Sequence, residues 1–112
     1  MNAVSRAEMQ GTPQYPYQRD FQEAVKNGDT NVLQQILEKR EGKVNINLFD
    51  TEGQTALHQS CLNGNLELVK LLVKFGADVR LANRDGWSAL HIAAYGGHQE
   101  IESYLIHVNS RD

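Results

Sequence analysis

The stretch Glu52-Gly-Gln-Thr-Ala-Leu-His-Gln-Ser60 returns further along the chain as Asp85-Gly-Trp-Ser-Ala-Leu-His-Ile-Ala93. The two copies are 33 residues apart, and the same interval separates Gly64 from Gly97. A fixed interval of this size is typical of supersecondary units that repeat and stack on one another. Residues 52–106 therefore decide the fold, and the rest of the chain is interpreted by its relation to them.

The motif Thr/Ser-Ala-Leu-His at this interval is the signature of ankyrin repeats, in which helix pairs are joined by projecting hairpin loops. We therefore predict an all-α repeat solenoid of about three ankyrin repeats, with an atypical first and last repeat. The predicted repeats are 21–49, 50–82 and 83–108, preceded by a flexible tail at 1–20 and followed by a short tail at 109–112.

The first repeat lacks the Thr-x-Leu-His opening, but its apolar spacing matches that of the second. Phe21, Ala24 and Val25 share one helical face, and Gly28 ends that helix as Gly64 ends the next. The interval between these two glycines is 36 residues rather than 33, which predicts a longer connection. Terminal repeats commonly depart from the pattern in this way.

The third repeat opens regularly and then departs from the pattern. It has Glu102 where the second repeat has Val69, and no polar-faced fourth repeat follows it in the sequence. A repeat cannot bury its own apolar stripe without a neighbour. We therefore expect the 90–106 face to be partly open.

A set of residues recurs at equivalent positions of the second and third repeats and is predicted to have a structural role. The glycines allow turns and helix ends, Thr and Ser cap helices, and each His bridges backbone groups of adjacent loops. These residues are Gly53, Thr55, His58, Gly64, Gly86, Ser88, His91 and Gly97. Metal binding by the two histidines is disfavoured, because successive repeats place them roughly 10 Å apart.

Nothing in the sequence supports an enzyme. Asp85, Ser88 and His91 are the residue types of a catalytic triad, but helix capping explains their placement in one turn, and a nucleophile also needs an oxyanion site. Cys61 lacks a basic neighbour and occupies an inner-helix position where a small apolar residue packs. We predict no catalytic, cofactor or metal site.

Composition indicates a soluble intracellular protein, in the nucleus or cytoplasm. The net charge of −3 argues against a nucleic-acid surface, which requires clustered basic residues. The single cysteine cannot form an internal disulfide, which favours a reducing compartment. We also find no apolar run long enough for a secretory signal or a membrane span.

Candidate protein-interaction residues lie on the loops and in the last repeat, because exposed Trp, Tyr and Arg dominate interface energetics. Trp87 either packs its indole on the neighbouring loop or anchors a contact, and both interpretations apply to the loop arginines. The candidates are Arg80, Arg84, Trp87, Tyr95, Ile101 and Tyr104. We expect Ile101 and Tyr104 to face outward.

The stretches 52–60, 64–78 and 81–94 resemble the Notch-regulated ankyrin repeat proteins, and the resemblance weakens at 61–63 and from Glu102 onward. It implies a non-enzymatic feedback regulator of Notch signalling. Proteins of this family bind the complex of the Notch intracellular domain with the DNA-binding protein CSL and attenuate its output. The resemblance also implies a link to Wnt signalling through a lymphoid enhancer-binding factor.

The Notch intracellular domain carries an ankyrin stack of its own. A three-repeat protein with an open face is therefore expected to extend that stack through its 90–106 end, while Arg80, Arg84 and Trp87 reach CSL. The alternative is a generic ankyrin adaptor that binds an unrelated protein through the concave surface of loops and inner helices. Neither function requires direct contact with nucleic acid or a membrane.

Overall fold

The computed structural model describes residues 16–39 and 43–110, and within this part of the chain it contains helices and no strand. The helices form three pairs, each joined by a short turn. They are α1 Gln18–Asn27 and α2 Thr30–Lys39, α3 Ala56–Leu62 and α4 Leu66–Lys74, and α5 Ala89–Tyr95 and α6 Gln99–Asn109. The predicted all-α fold of three repeats is confirmed. Most of the tail predicted at 1–20 lies outside the described residues, as do 111–112.

The helices lie in two layers. The inner helices α1, α3 and α5 pack against one another in sequence, and so do the outer helices α2, α4 and α6. Each helix is amphipathic and turns its apolar side to the space between the layers. The most deeply buried apolar residues come from all three repeats and are Leu33, Cys61, Leu68, Val69, Leu72, Ala93 and Leu105.

Capping boxes fix the start of both regular inner helices. The Thr55 side chain accepts a hydrogen bond from the His58 N–H at 3.3 Å, while the His58 Nδ1 accepts one from the Thr55 N–H at 3.2 Å. Ser88 and His91 form the same pair at the start of α5. These reciprocal bonds satisfy backbone donors that a helix start otherwise leaves unpaired. The shared Thr/Ser-Ala-Leu-His motif thus sets the first turn of each helix.

The longer first connection is held against α1 by the Gln18 side chain. Its amide nitrogen donates to the Asn45 carbonyl at 2.9 Å, and its amide oxygen accepts from the Asn45 N–H at 2.7 Å. This pairing accounts for a helix that begins at Gln18, before the expected start at Phe21. The connection then reaches the loop between α4 and α5, which we call the second loop. There Asn47 Oδ1 accepts from the Asp78 N–H at 2.8 Å.

The last part of the first connection, which lies just before α3 and contains Gly53, is called the first loop. It also stacks directly on the second loop. The Arg84 N–H donates to the Gly53 carbonyl at 3.0 Å. Gly53 has a φ of +78°, and a Cβ at this position would overlap the Cβ of Arg84 and lie 3.3 Å from its Cα. Glycine is therefore required here both by the backbone conformation and by the close approach of the next loop.

A pair of glycine substitutions separates these two requirements. Gly86 occupies the equivalent position of the second loop with a φ of +86°, but no atom lies within 4 Å of an added Cβ. We expect Gly86→Ala to lower the free energy of unfolding by about 1–3 kcal/mol, the cost of the backbone conformation alone. Gly53→Ala is expected to lower it by at least about 1 kcal/mol more, because the Arg84 backbone must move. Urea denaturation of both variants measures the difference, and equal losses would contradict the stacking argument.

Candidate functional site

His58 connects the second repeat to the third. Its Nδ1 accepts from the Thr55 N–H, so this nitrogen is unprotonated and Nε2 carries the proton. Nε2 then donates to the carbonyl of Leu81 in the second loop at 3.0 Å. The ring is 1% exposed. One buried imidazole thus satisfies backbone groups of two neighbouring repeats.

The protonation state of His58 follows from its burial. Removal from water lowers the pKa of the ring from its ordinary value of 6.5, and the Leu81 carbonyl and Asp50 carboxylate oppose this only in part. A neutral ring is also what the hydrogen bonds require, since Nδ1 must remain an acceptor. His58 is therefore a structural link between repeats.

The same positions in the third repeat are uncovered. In the second repeat, Leu57, His58 and Cys61 are at most 2% exposed because the third repeat packs on them. Their counterparts 33 residues later differ, since Leu90 is half-buried while His91 and Ala94 are exposed. We define the end face as the surface formed by Gly86, Trp87, Leu90, His91, Ala94 and Tyr95. Its residue types are those found at the junction between the second and third repeats, but no further repeat covers them in the described part of the chain.

In the part of the chain that the structure describes, the Gly86 carbonyl and the His91 Nε2 lack the hydrogen-bond partners that Gly53 and His58 have. At the junction of the second and third repeats, the Gly53 carbonyl accepts from Arg84 and His58 Nε2 donates to Leu81. Within residues 16–39 and 43–110, no hydrogen bond reaches the Gly86 carbonyl or the His91 Nε2. The His91 ring is nevertheless held in the same orientation, because its Nδ1 accepts from the Ser88 N–H at 3.2 Å.

An aromatic cluster borders the end face. The Trp87 ring meets the Tyr95 ring edge-to-face at 5.3 Å between centroids and the His91 ring at 6.4 Å. Trp87 is 37% exposed and Tyr95 is 83% exposed. A recess of about 400 Å³ lies beside them, lined by Gly86, His91 and Ala94 as well. Trp87 therefore packs on neighbouring rings and also offers an exposed aromatic surface.

The outer helix contributes differently from what the sequence predicted. Ile101 is 2% exposed, so the expectation that it faces outward is wrong. It is the counterpart of Leu68, whose side of the outer helix points into the core. Tyr104 is half-buried and directed to the preceding outer helix, α4, where the Lys70 ammonium lies 5.8 Å from its ring centroid. Glu102, the counterpart of the fully buried Val69, is half-buried and makes this part of the end polar.

The loop arginines lie away from the end face. Arg84 packs back over Gly53 of the first loop. Arg80 pairs with Asp78 at 3.5 Å, and its side chain is 84% exposed. Of the six candidate interaction residues, the structure therefore brings together only Trp87 and Tyr95. Leu90 and Ala94 were missed, although the 33-residue register connects them to two positions that a following repeat covers.

The opposite end of the stack has different chemistry. Ala89 and Ile92 of α5 are the buried residues that face the preceding repeat. Setting Phe21 on Leu57 places Asp20 and Glu23 of α1 at the corresponding positions, and both carboxylates are exposed. The first repeat thus presents two carboxylates where the third repeat presents buried apolar side chains. The two ends of the stack are not equivalent.

Cys61 has the surroundings of a residue that packs in the core. Cys61 is fully buried, and burial raises the pKa of its thiol to about 12. A thiol in this environment is a poor nucleophile because the thiolate is not populated near neutral pH.

Within residues 16–39 and 43–110, no helix is long and apolar enough to cross a membrane.

These features define an ankyrin repeat protein, and a sequence profile of three ankyrin repeats matches residues 21–112. Known proteins narrow the family further. The chain is 64% identical over 104 residues to the Notch-regulated ankyrin repeat-containing protein of Xenopus laevis. The matched stretch covers 92% of this chain and 91% of the relative. It is 62% identical to the Homo sapiens protein of that name, with the same coverage. It is 68% identical over 90 residues to Notch-regulated ankyrin repeat-containing protein A of Danio rerio, covering 80% of each chain. The chain belongs to the Notch-regulated ankyrin repeat-containing proteins.

The structural role of His58 predicts a large difference between two equivalent substitutions. His58→Gln disturbs a buried bridge and leaves the Leu81 carbonyl poorly paired, so we expect it to lower the free energy of unfolding by about 1–3 kcal/mol. His91→Gln affects an exposed ring and weakens only the capping box, which is expected to cost no more than about 1 kcal/mol. Urea denaturation near neutral pH compares the two variants. Equal losses would contradict a bridging role for His58.

The lowered pKa of His58 also predicts a pH dependence of stability. Well above pH 6.5 the ring is neutral in the folded and unfolded states. Below it the unfolded chain takes up a proton that the folded chain resists, so the free energy of unfolding decreases as the pH falls. Between about pH 7.5 and about pH 5.5 the wild type should therefore lose more stability than His58→Gln. A loss of the same size in both proteins would show that His58 does not titrate in this way.

Proposed function

We propose that this protein is a non-enzymatic interaction module that docks end-on onto the ankyrin stack of the Notch intracellular domain. It does so in the complex of that domain with CSL, and it attenuates the output of the complex. The name of the relatives, Notch-regulated ankyrin repeat-containing protein, supports a place in the Notch pathway. The end face supports the mode of docking.

The observation that carries this proposal is the correspondence between the end face and a buried junction. Leu57, His58 and Cys61 are buried on α3, which packs against α5, and His58 bonds to the loop that precedes α5. Their counterparts keep small, apolar or hydrogen-bonding character, but Leu90 is only half-buried and His91 and Ala94 are exposed. A surface with these properties is best covered by another ankyrin repeat, because ankyrin repeats bury their apolar faces only against neighbours.

The hydrogen-bonding groups of the end face define what such a partner must supply. In the existing junction, Leu81 provides a carbonyl to His58 and Arg84 provides an N–H to Gly53. A docking loop with a carbonyl and an N–H spaced three residues apart would pair in the same way with His91 and Gly86. This pattern belongs to the loop of a following repeat, so the partner's first repeat would continue the stack in the same direction.

The first repeat is the less suitable end for docking. Its inner helix presents Asp20 and Glu23 at the positions where the third repeat has the buried residues Ala89 and Ile92. Burying two unpaired carboxylates would cost several kcal/mol by an order-of-magnitude estimate. Docking through the end face leaves these charges in water.

The two loop arginines are not part of the end face. Arg80 and Arg84 are exposed, and Arg84 lies over Gly53 of the first loop. They are therefore available to contact CSL while the end face engages the Notch ankyrin stack. A lymphoid enhancer-binding factor is a further partner implied by the family resemblance. These partners imply activity in the nucleus, the cytoplasm or both.

A single charge at the centre of the end face tests the proposal. Ala94 is exposed and small, so Ala94→Glu should leave the fold unchanged. Docking would bury the new carboxylate, and we expect the affinity for a complex of Notch ankyrin domain, CSL and DNA to fall at least about tenfold. Isothermal titration calorimetry measures the affinity, and a Notch-responsive reporter measures the attenuation.

Val32→Glu is the matched control. Val32 is 43% exposed in the first repeat, so the same charge is introduced far from the end face. We expect this variant to bind and attenuate as the wild type does, with circular dichroism confirming that both variants are folded. If Ala94→Glu binds with wild-type affinity, docking does not use the end face. If Val32→Glu is the weaker variant, the first repeat is the docking end.

A further inference from the structure

A second recess lies on the concave side of the stack, between the second and third repeats. It has a volume of about 250 Å³ and we call it the repeat 2–3 groove. The residues that matter for its chemistry are Gln54, Leu62, Asn83, Asp85, Trp87 and Tyr95. The Trp87–Tyr95 pair also lines the end-face recess, so these two rings lie between the two recesses.

The groove is preorganised by one side chain. Asn83 Oδ1 accepts from the Asp85 N–H and from the Trp87 N–H, each at 2.9 Å. Asn83 Nδ2 donates to Gln54 Oε1 of the first loop at 3.2 Å. These bonds hold the backbone of Asp85 and Trp87 in a fixed relation before any ligand arrives. Preorganisation of this kind reduces the entropy lost on binding.

The groove exposes apolar and aromatic side chains. Leu62 is 51% exposed and Tyr95, its counterpart in the third repeat, is 83% exposed. The counterpart of Leu62 in the first repeat is Lys26, and the counterpart of Trp87 is Gln18. At the Leu62 position an apolar or aromatic residue therefore occurs in the second and third repeats, and at the Trp87 position an aromatic residue occurs only in the third. Exposed aromatic side chains in a concave setting are common features of binding sites.

The charge of the groove specifies the kind of ligand. Within the described residues, the Asp85 carboxylate makes no ion pair or side-chain hydrogen bond, and the groove is lined by His98 but by no Lys or Arg. Arg84 is adjacent in sequence but packs over Gly53. A guanidinium group matches these surroundings, because it stacks on aromatic rings and forms paired hydrogen bonds with a carboxylate.

We propose that the repeat 2–3 groove binds an extended partner segment through an arginine, whose guanidinium stacks on the Trp87–Tyr95 pair and bonds to the Asp85 carboxylate. Leu62 provides apolar contact for a flanking residue of the segment. The Trp87–Tyr95 pair is common to this groove and the end-face recess, whereas Asp85 and Leu62 line only the groove. The proposal therefore extends beyond end-on docking and does not depend on it.

The single tryptophan of the chain makes a direct test available. Since Trp87 lines the groove, its fluorescence reports occupancy. We would titrate the full chain with a short acetylated and amidated peptide of alternating Ala and Arg, and with a twin that has citrulline at every Arg. Citrulline keeps the shape of arginine but not its charge. We expect the Arg peptide to change the Trp87 emission and to bind roughly tenfold more tightly than its twin.

Two variants of equivalent loop positions supply the control. Asp85→Asn should weaken binding of the Arg peptide about three- to tenfold. Glu52→Gln removes the counterpart carboxylate of the first loop, which lies outside this groove, and should leave the affinity unchanged. Equal affinities for the two peptides, or equal losses in the two variants, would overturn the proposal. Asp85 lines the groove but not the end-face recess, so Asp85→Asn should weaken peptide binding and keep the affinity for the Notch complex, and the two proposals fail separately.

Discussion

The hydrogen bond from His58 Nε2 to the Leu81 carbonyl is the interaction on which the stack most depends. The ring is fixed on one side by the Thr55 N–H and on the other by the next loop, and burial keeps it neutral so that both bonds persist. Because loop and helix are tied together by this one side chain, the spacing between the second and third repeats is set locally. A repeat protein is stabilised by such nearest-neighbour junctions and not by one central core.

The same dependence explains why the two ends of the stack differ. The third repeat keeps His91, Ala94 and Leu90 at the positions that a following repeat would cover, and it keeps the His91 ring oriented by Ser88. The outer helix, in contrast, has Glu102 where Val69 is buried. The apolar part of this end is therefore confined to the inner helix and loop. The same part contains the Gly86 carbonyl and the His91 Nε2, which have no hydrogen-bond partner within the described residues.

Several properties of the fold could be predicted from particular residues. The 33-residue interval predicted the helix pairs, and the predicted capping by Thr55 and Ser88 placed the starts of α3 and α5. Ile101 shows where this approach failed. Its position in a departing repeat suggested an outward direction, whereas the register with Leu68 places it in the core. Register is a stronger guide than composition here, because a helix side chain points where its turn places it.

The sequence by itself determined the repeat architecture, since intervals, caps and glycines are local properties that recur with the unit. Only the tertiary structure decided which surfaces remain uncovered. Tyr95 and Leu62 are equivalent in register, and so are His91 and His58, but the members of the second pair differ completely in burial. The physical reason is that exposure depends on the neighbouring repeat and not on the residue. The end face and the groove beside it are therefore properties of the stack, whereas the histidine motif is a property of each repeat.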